Sequence, residues 1–263
     1  MIVLGVQLDI IWEDKRANHR KVRTLLEKQS IQPGSMIVLP EMFSTGFSMN
    51  VETISEGSHR ETEIFLAGLA TEYQCYVLGG VVTSTAEGLG RNEAVVFNAK
   101  GTEVARYCKL HPFSFAGENN YYAPGGSIRT FGWQDFTISP FICYDLRFPE
   151  AFRAAVGLGA TLFVVIANWP QVREKHWRTL LRARAIENQA YVIGVNRCGA
   201  DPKNSHSGCS MILDPGGEAV AMAGSEETVI QASLDYKLLV DCRARFPVLA
   251  DRREDLNAYA GNG

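Results

Sequence analysis

Short apolar runs alternating with longer amphipathic stretches set the order of elements along this chain. Residues 2–8 read as a buried strand, and Asp14 can cap a helix running to about residue 29 with Val22, Leu25 and Leu26 on its inner face. Pro33-Gly34 breaks the chain before a second short strand at 36–39, which stops at Pro40-Glu41. A loop through Phe47 and Gly57 leads to a helix near 61–73, with Ile64, Phe65, Leu66 and Leu69 as its apolar positions, and then to a strand at 76–82. Residues 88–92 turn the chain into a hairpin of 93–97 and 103–110. Residues 111–130, rich in Gly, Asn, Tyr and Pro without a regular period, form a long loop of the kind that often carries function. A strand over 136–144, a turn, a helix at 149–156 and a β-branched strand at 161–167 follow. Residues 173–188 are helical in composition, but arginines interrupt the apolar stripe and leave the buried face unassigned. A strand at 191–196, a hairpin of 210–213 and 218–222 around Asp214-Pro215-Gly216-Gly217, and a strand at 228–234 complete the pattern. The charged end, with Arg243, Arg245, Arg252 and Arg253, suits an exposed surface or a subunit contact. Helices alternating with strands, with hairpins between, indicate a mixed-sheet α/β fold in a single domain over 1–263.

Composition narrows the partners. Of 263 residues, 46% are hydrophobic and 21% charged, enough apolar material for one large α/β domain. The net charge of −3 offers no basic field for nucleic acid, and no like-charge run suggests a membrane-surface patch. The amino terminus shows neither a basic leader nor an apolar stretch able to span a bilayer, so a cytoplasmic protein with a small-molecule partner is expected. Six cysteines without a C-x-x-C pair, and five histidines without an H-x-x-x-H cluster, point away from structural zinc, a disulfide scaffold or a metal hydrolase.

Three reactive side chains fall at carboxyl ends of strands: Glu41, Lys109 and Cys143. Ligand sites in α/β folds gather at such ends, so residues far apart in sequence can meet there. Each also has a bland reading, as a solvated loop acid, an edge-strand lysine and a core cysteine. Together they supply a nucleophile, a base for its proton and a cation for a tetrahedral oxyanion. Free N–H groups where the strand of Cys143 turns into a helix are expected to lower its pKa.

Leu39-Pro40-Glu41-Met42-Phe43, then Lys109-Leu110-His111-Pro112-Phe113 with Gly117-Glu118, then Ile142-Cys143-Tyr144-Asp145-Leu146-Arg147-Phe148-Pro149-Glu150 resemble the three catalytic blocks of the nitrilase superfamily, the carbon–nitrogen hydrolases. Ala167-Asn168-Trp169-Pro170, His176-Trp177, residues 183–189 and Gly194-Val195-Asn196-Arg197 resemble later blocks of that family, so the likeness covers nearly the whole chain. The resemblance implies a four-layer α-β-β-α sandwich with two mixed β-sheets, paired into a homodimer or higher homo-oligomer, and no cofactor. It implies Cys143 as nucleophile, Glu41 as general base, Lys109 as electrostatic stabiliser, and Glu118 as the second glutamate that positions the triad and substrate; in the mechanism expected from these roles the N–H of Tyr144 joins Lys109 in holding the oxyanion. Pro112 departs from the bulky residue many relatives carry there. The cysteine block with Ala-Asn-Trp-Pro looks most like the bacterial ω-amidase branch, which hydrolyses the terminal amide of 2-oxoglutaramate and 2-oxosuccinamate with water. Deaminated-glutathione amidases and N-carbamoyl hydrolases are alternatives, and a catalytically silent scaffold is a third reading. Arg147 can pair with a substrate carboxylate or, equally, form a salt bridge with Asp145 or Glu150; Trp169, Phe47 and Phe113 can wall a small pocket or be core.

Overall fold

The alternation of apolar positions resolves into two six-stranded sheets. The computed structural model describes residues 1–253. In chain order the first half carries β1 (Ile2–Gln7), α1 (Lys15–Glu27), β2 (Met36–Val38), a single turn α2 (Val51–Ile54), α3 (Glu61–Glu72), β3 (Tyr76–Ser84), β4 (Gly90–Phe97) and β5 (Glu103–Cys108). The second half carries β6 (Phe131–Trp133), β7 (Phe136–Ile142), α4 (Pro149–Gly157), β8 (Leu162–Ala167), α5 (Glu174–Asn188), β9 (Tyr191–Asn196), β10 (Cys198–Ala200), β11 (Ser205–Ser207), β12 (Met211–Leu213), β13 (Ala219–Met222), β14 (Thr228–Ser233) and α6 (Tyr236–Arg245). One sheet has the order β14-β1-β2-β3-β4-β5 and the other β13-β12-β9-β8-β7-β6, while β10 and β11 form a separate ribbon. Each sheet holds three parallel strands, β1-β2-β3 and β7-β8-β9, extended on both sides by antiparallel pairing.

The period of two along the first sheet separates its faces. Leu4, Ile37, Val77 and Val95 pack under Val22 and Leu26 of α1 and Leu66, Leu69 and Ala70 of α3. Their chain neighbours Val3, Met36, Val38, Leu78 and Val96 turn the other way, into a core shared with Ile138, Val164 and Ile193 of the second sheet. On the far side of that sheet lie Phe152 of α4 and Trp177, Leu181 and Ala185 of α5. The result is the expected four-layer sandwich of two mixed sheets flanked by helices.

Local departures from the sequence expectations have identifiable causes. The 88–92 turn is shorter than expected, because β4 begins at Gly90 and pairs with β3 as far as Ser84. In α3, Ile64 is 66% exposed, while Thr62 and Glu63 face inward. The Glu56 carboxylate accepts the Thr62 N–H, and Glu63 pairs with Arg60 and Arg106, so polar partners set the rotation of this helix. The buried face of α5, unassigned from sequence, is Trp177, Leu181, Arg184, Ala185 and Asn188. Arg184 is accommodated there because it donates to the Leu146 carbonyl at 2.7 Å and pairs with Glu187. The charged carboxyl-terminal stretch contains a helix that its composition hid: Asp235 caps α6, Leu239 is buried, and Arg243 donates to the Gln189 carbonyl rather than standing free. Arg245, Arg252 and Arg253 are exposed. Among the described residues, no helix is long and apolar enough to cross a membrane.

Candidate active site

Two sheets bring the carboxyl ends of four strands to one place. Glu41 follows β2, Lys109 follows β5, Cys143 follows β7 and Asn168 follows β8. The backbone around Glu41 lies against β3 so closely that a Cβ at Gly80 would fall 2.3 Å from the Met42 nitrogen and 2.7 Å from the Glu41 Cα. Only glycine at position 80 permits that approach. Cys143 opens a tight turn, Cys143–Arg147, with φ +48°, a left-handed conformation that is costly for a residue with a side chain. Asp145, fully buried, holds the turn by accepting from Tyr107 Oη at 2.7 Å, the His111 N–H at 3.0 Å and the Ile142 N–H at 3.1 Å.

The Lys109 ammonium, 1% exposed, donates to Glu41 Oε1 at 3.0 Å and to both oxygens of Glu118 at 3.1 and 2.9 Å. Its remaining surroundings include the Phe47 ring, 5.2 Å to the centroid. Burial alone would lower the Lys109 pKa, but Glu118 and Glu41 outweigh it and hold the ammonium well above its ordinary value. Glu41 Oε2 accepts the Asn168 N–H at 2.8 Å, and Asn168 Nδ2 donates to the Glu41 carbonyl at 2.6 Å. Asn92 Nδ2 bridges the two carboxylates, 2.7 Å from Glu41 Oε1 and 3.0 Å from Glu118 Oε1. Glu118 also accepts the Phe113 N–H, which ties the long loop to the site.

Cys143 behaves opposite to the sequence expectation. Burial pushes its thiol well above the ordinary value, the Glu41 charge and the thiol's hydrogen bond to Glu41 act in the same direction, and Lys109 only partly opposes them. Desolvation and a facing carboxylate therefore dominate over the free N–H groups of the turn, and the resting nucleophile is a protonated thiol beside a carboxylate able to take its proton.

Glu41, Lys109, Glu118 and Cys143 thus converge as expected from sequence. Lys109 and Cys143 lie on the wall of a cavity of about 230 Å³, which Phe47, Phe113, Tyr144, Arg147 and Trp169 also line. Trp169 is both wall and core, being 3% exposed and 5.6 Å from the Trp177 ring. Arg147 forms neither of the salt bridges considered for it. Asp145 is occupied in bracing the turn, and Arg147 instead lies over the rings of Trp169 and Tyr144, 4.7 and 5.9 Å to the centroids, with His176 Nδ1 3.3 Å away. Among the described residues its guanidinium has no carboxylate partner.

Asn92 and Asn168 were not singled out from sequence. Asn92 reads as part of a turn, and no pattern marks it as the donor between two carboxylates. Asn168 stands in the Ala-Asn-Trp-Pro block after a buried strand, and that strand-end position was the available signal. The cavity also includes Trp12, Arg173 and the 201–206 segment, where Asp201 and His206 pair at 2.8 Å. Among the described residues no group of three or more His, Cys, Asp or Glu side chains is placed to hold a metal ion.

The family model for carbon-nitrogen hydrolases matches residues 5–244. The chain is 41% identical over 250 residues to the omega-amidase YafV of Yersinia enterocolitica, covering 94% of each, and 32% identical over 252 residues to the 2-oxoglutaramate amidase of Bacillus subtilis, covering 95% of this chain and 97% of that one. Its structure superimposes with a TM-score of 0.90 on a CN-hydrolase superfamily protein from Xanthomonas campestris crystallised with an arsenic adduct in its active site, at 31% identity and 97% coverage of both chains. A match over almost the full length, a shared four-layer architecture and a glutamate–lysine–cysteine cluster at its strand ends place this chain in the carbon-nitrogen hydrolase family.

Proposed function

We propose that this protein is an ω-amidase that hydrolyses the terminal amide of small 2-oxo dicarboxylic acid monoamides, 2-oxoglutaramate and 2-oxosuccinamate, to the acid and ammonia. The observation that carries the reading is one cavity lined by the Cys143 nucleophile, by Lys109, which donates to the Glu41 carboxylate buried behind it, and by Arg147, which has no carboxylate partner among the described residues. Relatives named omega-amidase and 2-oxoglutaramate amidase, similar over nearly their whole lengths, support the substrate class.

Glu41 takes the Cys143 proton as sulfur bonds to the amide carbon, and the carbonyl π electrons move to oxygen. Lys109 and the Tyr144 N–H, near the start of a turn where N–H groups lack an internal acceptor, stabilise that oxyanion. Glu41 then passes its proton to the departing nitrogen, the C–N bond breaks, and ammonia leaves a thioester. Water, deprotonated by Glu41, attacks the thioester, the C–S bond breaks to release the acid, and Glu41 returns its proton to sulfur to restore the thiol. Glu118 acts throughout as a positioning residue that balances the Lys109 charge. Groups of this chain, with water, supply every step, so the mechanism calls for no cofactor. Arg147 pairs with the substrate carboxylate, with Trp169, Phe47 and Phe113 shaping the walls.

The same reading takes residues 1–263 as one catalytic domain, cytoplasmic because the chemistry needs a reduced thiol, and assembled at least as a dimer. Apolar side chains left exposed on α5, β13 and α6, among them Ile186, Val220, Leu238 and Val240, support a subunit contact there.

Ammonia release from 2-oxoglutaramate, glutamine, deaminated glutathione, a simple nitrile and an N-carbamoyl amino acid tests the proposal. We expect 2-oxoglutaramate to have the highest kcat/KM, an acyl adduct on Cys143 by mass spectrometry, and no turnover by C143A. Preference for any other member of that set would overturn the substrate assignment, and residual C143A activity would overturn the mechanism.

A further inference from the structure

Arg173 faces the same cavity as Arg147. It ends the turn Gln171–Arg173, which is fixed because the Trp169 indole N–H donates to the Arg173 carbonyl at 2.8 Å. Its guanidinium lies over Phe113 and Phe115, 5.6 and 5.2 Å to the ring centroids. Phe113 packs 4.8 Å from Tyr144, and the Arg147 guanidinium lies 5.9 Å from the centroid of that second ring, so two guanidinium groups bracket one aromatic pair.

No carboxylate among the described residues neutralises either arginine. Asp145 braces the cysteine turn, Asp201 is held by His206 and the N–H groups of Lys203 and Asn204, and Glu174 pairs with Arg178. Burial lowers the Arg147 pKa, Tyr144 opposes this, and the Arg173 charge lowers it further. Like charges converging on a cavity raise its free energy until an anion enters. Phe115, 80% exposed beneath Arg173, marks the outer rim, whereas Cys143 is 9% exposed at the inner end. A linear ligand spanning these points has its amide at the sulfur and its charge at the rim.

We propose that Arg173 is a specificity-determining residue, receiving together with Arg147 the carboxylate at the far end of the substrate and thereby selecting amides that carry an anionic terminus. The inference rests on the amidase reading above and adds the second cation of the carboxylate site. Both guanidinium groups are pre-oriented by aromatic faces, which limits the entropy lost when they grip a carboxylate.

The test compares 2-oxoglutaramate with pentanamide, a five-carbon amide without a carboxylate, in the full-length wild type, R173Q and R173K. Loss of one charge-assisted contact in R173Q should raise KM for 2-oxoglutaramate by about 10- to 100-fold with kcat little changed, and lower the kcat/KM ratio of the anionic to the neutral amide by a similar factor. R173K, which keeps the charge but not the fork, should restore part of that ratio. A ratio in R173Q equal to the wild type's, or equal losses on both amides, overturns the role of Arg173. Absence of wild-type turnover of 2-oxoglutaramate, with pentanamide hydrolysed, would instead overturn the substrate reading on which it stands.

Discussion

Removing Glu118 separates the electrostatics of the site from its chemistry. Glu118 gives Lys109 two of its three acceptors, at 3.1 and 2.9 Å, and also accepts from Asn92 and Phe113. In E118A the buried ammonium keeps only Glu41 Oε1 at 3.0 Å and the Phe47 ring. Breaking one side of a buried ion pair costs about 3–5 kcal/mol, which for a chain of this size lowers Tm by about 6–20 °C. With Lys109 drawn onto Glu41 alone, the base and the oxyanion donor both move off position, and kcat should fall by about 100-fold or more. Replacing the other two charges as well, in E41Q/K109M/E118A, leaves no buried charge in the cluster and should recover part of the lost Tm while leaving the enzyme inactive. Thermal unfolding by circular dichroism and ammonia release read the two effects separately. An E118A protein with wild-type Tm, or a triple variant less stable than E118A, would refute the account of a cation held by two carboxylates.

Because burial and Glu41 push the Cys143 thiol up, the C143A difference spectrum at 240 nm should show no thiolate at pH 8; a thiolate signal at pH 7 would contradict the protonated resting state. The sign for stability follows: with the folded pKa raised above the ordinary 9.0, the native state resists ionisation, so this group's contribution is present below about pH 9 and is lost as pH rises beyond it. G80A should be destabilised by about 1–3 kcal/mol or more in urea, with activity lost in the protein that still folds, since backbone atoms of Glu41 and Met42 occupy the Cβ position.

Much of the fold was legible because its elements carry local signals. The capped first helix, the short central strands and the β-branched strand at 162–167 were each readable within a residue or two, as periodicity and capping are properties of neighbours in the chain. Ile64 shows where that logic ends. Its position in α3 looks apolar and inward, but ion pairs from Glu63 to Arg60 and Arg106, the latter from another strand, rotate the helix and leave Ile64 in solvent. The α6 helix was hidden by charge, since only packing of Leu239 and the Arg243 contact with Gln189 reveal its inner side.

For the site, the sequence by itself determined which chemistry the chain can carry: glutamate, lysine and cysteine at three strand ends, embedded in blocks that resemble those of the carbon–nitrogen hydrolases. Tertiary structure decided how those groups behave. Whether Cys143 rests as thiol or thiolate depends on the balance between free N–H groups nearby in sequence and a carboxylate brought from residue 41, and the latter wins because burial removes the screening water. Asn92 becomes a bridge between Glu41 and Glu118 only when β4 lies beside both. Arg147 and Arg173 become a pair only when the loops after β7 and β8 close around one cavity and leave them, among the described residues, without a carboxylate partner, a fact about charges in space that no spacing along the chain encodes.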